Sequence, residues 1–121
     1  MQNPQEFKEK VQKACPKLGS IVYLNVGGDD KIAINKDFLT KQENSILAKI
    51  FLEKDFEVLH DGRIFIDRDP EIFKLILNFL RNDKCPTKFR DDYQLEMYKD
   101  ELEFWGLEDK SLKRKLYIDR L

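Results

Sequence analysis

The chain has 121 residues, 41% of them hydrophobic and 12% aromatic, with nine Phe, four Tyr and one Trp. That length suits one domain, and the apolar content is enough for one core, which excludes wholesale disorder. Charged residues reach 37%, yet 22 basic and 23 acidic groups leave a net charge of −1. No overall field would hold a phosphate backbone, so nucleic acid is not an expected partner.

Apolar runs such as Leu75-Ile76-Leu77 fall far short of the roughly 20 residues a bilayer crossing needs, so direct membrane insertion is not expected. Met1 to Lys13 carries charges throughout and lacks the apolar segment of a secretion signal. Cys15 and Cys85 are far apart in sequence and read as reduced thiols of a cytoplasmic protein rather than as a disulfide framework.

In chain order, residues 3–15 are predicted helical. Asn3 can cap, Pro4 suits the first turn, and Phe7, Val11, Ala14 and Cys15 form a narrow apolar stripe. Pro16 ends it, and the segment is either a lid on the domain or a leader that docks elsewhere. Ile21 to Val26 is a strand with Val22, Leu24 and Val26 on one face. Gly27-Gly28-Asp29-Asp30 is a turn, and Lys31 to Asn35 returns with Ile32 and Ile34 inward, completing a β-hairpin. Thr40 and Glu43 have capping-box spacing, with Asn44 or Ser45 as later caps, for a helix striped by Ile46, Leu47, Ile50 and Phe51. A charged loop holding Phe56, Val58 and His60 leads through Asp61-Gly62 to a short strand, Arg63 to Ile66.

Asp69 then caps a helix whose first residue is Pro70. Its apolar residues leave only the stripe Glu71, Lys74, Asn78 and Arg81 polar, so this is the central helix of the domain. A loop broken by Pro86 precedes a helix from about Asp91 to Trp105, closed by Gly106 and Leu107. Ser111 opens a last helix with Leu112, Leu116 and Tyr117 on one side and Lys113, Arg114 and Lys115 on the other. The pattern is α+β: one domain, a hairpin sheet with several helices packed on it.

Chemistry-bearing clusters are sparse. Gly27-Gly28 joins two strands and lacks phosphate-loop spacing. The carboxylates of Asp67 and Asp69 flank Arg68, which reads as a salt-bridged corner or subunit contact before it reads as a cation site. His60 and the two cysteines are too few for a structural zinc. Glu101 and Glu103, two apart on a helix, do not face each other. No catalytic, cofactor or metal residue is expected, and the basic run Lys110 to Lys115 reads as a solvated face.

Four segments occur in the order and spacing of one family: Ile21 to Gly28, Phe65 to Asp69, Ile76 to Arg81, and Glu101 to Leu107. Over residues 21–107 the chain resembles the BTB/POZ domain of the potassium-channel tetramerisation type. The resemblance implies a two-layer fold in which a short mixed sheet, hairpin included, packs against helices. It implies homo-oligomers, tetramers or pentamers closed face to back. It also implies one of two settings: a soluble adaptor, in some cases for cullin-3 ubiquitin ligases, or the cytoplasmic assembly domain of a voltage-gated potassium channel. Asp67-Arg68-Asp69 and Asn78-Phe79-Leu80-Arg81 resemble the adaptors more, and the His and Cys-Cys elements of the channels' interfacial zinc motif are missing, so zinc is not expected. Carried over residue by residue, the oligomer interface would include Asn25, Gly28, Asp67, Arg68, Arg81 and Glu101, and a cullin contact would fall at Phe51 and Phe56. Residues 1–20 are then a helical leader and residues 108–121 a helical extension.

Overall fold

The computed structural model describes residues 3–119, with side chains as far as Leu116. Met1, Gln2, Arg120 and Leu121, parts of the expected leader and extension, lie outside the described residues, as does the side chain of Tyr117. Among the described residues, six α-helices accompany one three-stranded sheet.

Helix α1 (Pro4–Ala14) starts where Asn3 Oδ1 accepts the Glu6 N–H, and none of its residues is buried. A single 3₁₀ turn, Leu18–Ser20, leads into β1 (Ile21–Val26). Strand β2 (Asp29–Asn35) already begins at Asp29, so the turn is Gly27-Gly28 alone and not the four residues expected. Both glycines have positive φ, 58° and 103°, as the two central positions of a tight hairpin require. The ladder slips between Leu24 and Val26.

Two further differences follow. A one-turn helix, α2 (Lys36–Leu39), capped by Asn35, was not legible from periodicity because four residues hold barely one turn. Thr40 closes that turn instead of opening the next helix, so the Thr40–Glu43 capping box does not form. Helix α3 (Ile46–Glu53) starts at Ser45, whose Oγ accepts the Ala48 N–H at 3.0 Å. Its buried face is Leu47, Ala48 and Phe51, with Ile46 turned out.

Strand β3 (Ile64–Ile66) pairs in parallel with β1, giving the mixed order β2-β1-β3. Helix α4 (Pro70–Asn82) buries Ile72, Phe73, Ile76, Leu77, Phe79 and Leu80, and its polar stripe faces water as the spacing predicts. Helix α5 (Asp92–Trp105) ends at Gly106 (φ 68°), where the Leu107 N–H bonds the Leu102 carbonyl at 2.8 Å and Leu107 folds back into the core. Helix α6 (Lys110–Asp119) is capped by Asp109, two positions before the expected Ser111, and buries Leu112.

One contiguous core results. Leu24, Val26, Ile32, Ile34 and Ile64 supply the inner sheet face, packed with α4, α5 and Leu112. The alternate residues Tyr23, Lys31, Ala33 and Phe65 point away from it and are exposed, so the outer sheet face is bare.

Candidate functional site

The corner between β3 and α4 carries the densest polar chemistry. Asp69 Oδ1 caps α4 by accepting the Ile72 N–H at 3.1 Å. Arg68 does not pair with the carboxylates beside it, as the local reading had it. Its Nε and Nη2 donate to the Glu101 carboxylate on α5 over 2.7–3.2 Å. Glu101 is 4% exposed and also accepts the Trp105 Nε1–H at 2.8 Å. The Arg68 guanidinium lies 3.8 Å from the centre of the Phe104 ring. A planar cation with a fork of donors is the group that can satisfy a buried carboxylate on both oxygens while stacking on an aromatic face. The hydrogen bond to Glu101, opposed by desolvation, holds the Arg68 pKa above its ordinary value.

This clamp walls an open groove of about 540 Å³. Ile50, Phe56, Phe65, Ile66, Phe104 and Trp105 give it an apolar lining, and Asp55, Glu57 and Asp67 stand on its rim. Among the described residues no ion pair engages those three carboxylates, all of them exposed. Phe51, 2% exposed, is sealed into the core with its ring 5.4 Å from that of Phe56. Of the two residues assigned to a cullin contact, Phe56 is therefore the one with surface to offer.

The remaining carried-over residues sit elsewhere on the sheet. Asn25 Oδ1 accepts the Gly28 N–H at 2.9 Å and tightens the hairpin tip. Arg81 lies at the β2 edge, donating to the Ala33 carbonyl and to Asn78 Oδ1. Asp67, Arg68 and Glu101 are gathered at the β3 edge, so the six residues divide between the tip and two opposite edges.

Apart from Phe56, sequence reasoning missed the exposed aromatic lining. Phe65 could have been found from strand alternation, since Ile64 and Ile66 leave it on the outward side, and Phe104 from its place off the Tyr98–Leu102–Trp105 stripe. A second buried network also went unread: Tyr98 donates to Asp109 Oδ2 at 2.9 Å, and Asp109 Oδ1 accepts from Ser111 Oγ and from the Leu112 N–H. Burial, then the bond to Asp109, pushes the Tyr98 pKa far above its ordinary value. Cys15 and Cys85 are free thiols. No group of three His, Cys, Asp or Glu among the described residues could hold a metal. None of the described helices is long and apolar enough to cross a membrane.

The profile of the BTB/POZ domain family matches residues 22–115. The chain belongs to this family, in its potassium-channel tetramerisation branch. Among curated relatives, the human BTB/POZ domain-containing protein KCTD3 is 35% identical over 96 residues, covering 78% of this chain and 11% of that protein. The mouse potassium channel regulatory protein is 40% identical over 80 residues, 63% of this chain and 30% of its own length. The bovine SH3KBP1-binding protein 1 is 42% identical over 65 residues, 52% of this chain and 9% of its own. This BTB/POZ domain thus spans less than a third of each of these relatives.

Proposed function

We propose that this BTB/POZ domain is a non-catalytic self-association module whose copies join side by side into a closed tetramer or pentamer, acting as a cytoplasmic adaptor. The observation that carries the reading is the two-sided surface. An apolar, acid-rimmed groove lies along the β3 edge, the bare outer sheet face adjoins it, and Arg81 marks the opposite edge. A ring needs two different complementary faces on every protomer. The buried ionisable groups Glu101, Tyr98 and Asp109 are bonded internally and serve the fold. The assembly region is taken as residues 21–107, with residues 1–20 as leader and 108–121 as extension.

Light scattering tests the reading: a mass of four or five 14.5 kDa chains at micromolar concentration is expected, and a strictly monomeric chain refutes it. Cullin-3 is the finer adaptor partner, with Phe56 at the contact, and a pull-down with purified cullin-3 checks it. Channel assembly is the second reading, favoured by the likeness to a potassium channel regulatory protein. Co-purification with potassium-channel subunits, without cullin-3, would select it.

A further inference from the structure

We propose that helix α1 of one copy docks into the acid-rimmed groove of the neighbouring copy. The inference rests on the self-association reading and names the segment that reaches across.

Helix α1 is folded and capped, and its C-terminal half stands beside the α2 region, yet the helix buries none of its own residues. Phe7 is 60% exposed and Val11 44%, and no residue of the helix is buried. At about 100° per residue, Phe7, Val11 and Ala14 fall on one line, with Lys8 on one side of it and Lys10, next to Glu6, on the other. Gln5, Glu9 and Gln12 fall on the back, where Gln5 Nε2 donates to Glu9 Oε1. The helix is thus an apolar ridge with a lysine on each flank, Lys10 lying nearer the ridge than the one acid, Glu6, on its side. The groove is its converse: an apolar trough, about 540 Å³, with Asp55, Glu57 and Asp67 on the rim. Apolar fit supplies the hydrophobic contact, and opposed charges set the register and exclude like-charged surfaces.

Placement decides between the helix's own groove and a neighbour's. Lys10, Lys13 and Ala14 stand beside Asp37, Phe38 and Lys41 of the α2 region and Arg81 to Asp83 at the end of α4. Helix α2 follows β2, on one edge of the sheet, whereas the groove follows β3, on the other. A head-to-tail neighbour brings one copy's β2 side to the next copy's β3 side, and so brings the ridge to the trough.

Charge reversal and its rescue test this in the full chain, read by sedimentation velocity. Lys8→Glu with Lys10→Glu, and separately Asp55→Lys with Glu57→Lys, should each weaken association about tenfold or more. All four positions are exposed, so the fold should survive; Phe7→Ser, equally exposed, is the uncharged counterpart and should weaken it likewise. The four reversals together should restore association to near the unmodified chain. If the unmodified chain associates while the α1 variants leave it unchanged, the inference is overturned and self-association stands. The same holds if the fourfold variant fails to recover. Unchanged self-association with loss of cullin-3 binding in the groove variant would give the groove to that partner and also overturn it. A monomeric unmodified chain would refute the self-association reading itself.

Discussion

Removing either end of the Arg68–Glu101 pair should cost unequal amounts, because the two ends differ in access to water. Glu101 is 4% exposed, while the Arg68 side chain is 32% exposed. Arg68→Met keeps the aliphatic stem and strands a buried carboxylate with the Trp105 Nε1–H as its remaining side-chain donor. Stranding a buried charge costs about 3–5 kcal/mol, and the stacking on Phe104 adds about 0.5–1 kcal/mol. Because the guanidinium side is partly solvated, screening brings the sum to about 2–3 kcal/mol. Glu101→Gln keeps an acceptor for Trp105 and leaves Arg68 able to turn to water, so about 1 kcal/mol is expected. Urea unfolding followed by the fluorescence of Trp105, the chain's one tryptophan, reads both. With a slope of about 1–3 kcal/mol per molar urea, Arg68→Met should lower the midpoint by about 0.7–3 M. Titrations at several chain concentrations separate protomer stability from assembly. An Arg68→Met chain as stable as Glu101→Gln would refute the reasoning, since the buried end would then not be paying for its isolation.

Four other outcomes follow from named contacts. Arg68→Glu sets a second carboxylate against the buried Glu101 and should lower protomer stability as well as assembly, seen as an earlier thermal transition by circular dichroism. Leu77→Asp puts a charge at a site 1% exposed and should unfold the chain, with loss of the helical signal. Tyr98→Phe should cost about 1–2 kcal/mol at pH 7. The folded Tyr98 pKa is raised, so its contribution is full below the ordinary tyrosine value and is lost as pH rises above it. The variant should therefore unfold less steeply in alkali than the unmodified chain. Asp29, bonded first by Lys74, and Glu108, bonded first by Lys113, have depressed pKa values. Their contribution is present above the ordinary carboxylate range and lost as pH falls through the depressed values; Lys74→Met should flatten the Asp29 part of an acid titration.

The elements that sequence discloses are those whose signals are local. Asp69-Pro70 and the single polar stripe define α4 within a residue, and Gly106 ends α5 at a positive φ that few other residues adopt freely. Helix α2 escapes because one turn has no period, and Ser45 wins over Thr40 as cap because Leu39, sealed in the core, fixes the preceding turn. The Arg68 corner shows the larger limit. Charge order along the chain suggested neighbours, but its partner is 33 residues on, a distance that only the packing of α5 against α4 closes. Exposed aromatics such as Phe65 and Phe104 were equally hidden, because an aromatic residue reads as core until its face is known.

The two glycines of the hairpin are not equivalent. A side chain at Gly28 would meet open space, whereas one at Gly27 would run into the carbonyl oxygen of Arg68, with Pro70 close behind. Gly27 also donates its N–H to the Ile66 carbonyl at 2.9 Å. The hairpin tip is therefore keyed to the backbone of the residue that grips α5, and the two behave as one mechanical unit. A tag or chemical handle grafted at Gly28 would ride on that unit; bulk forced in at Gly27 would lever Arg68 out of its hold.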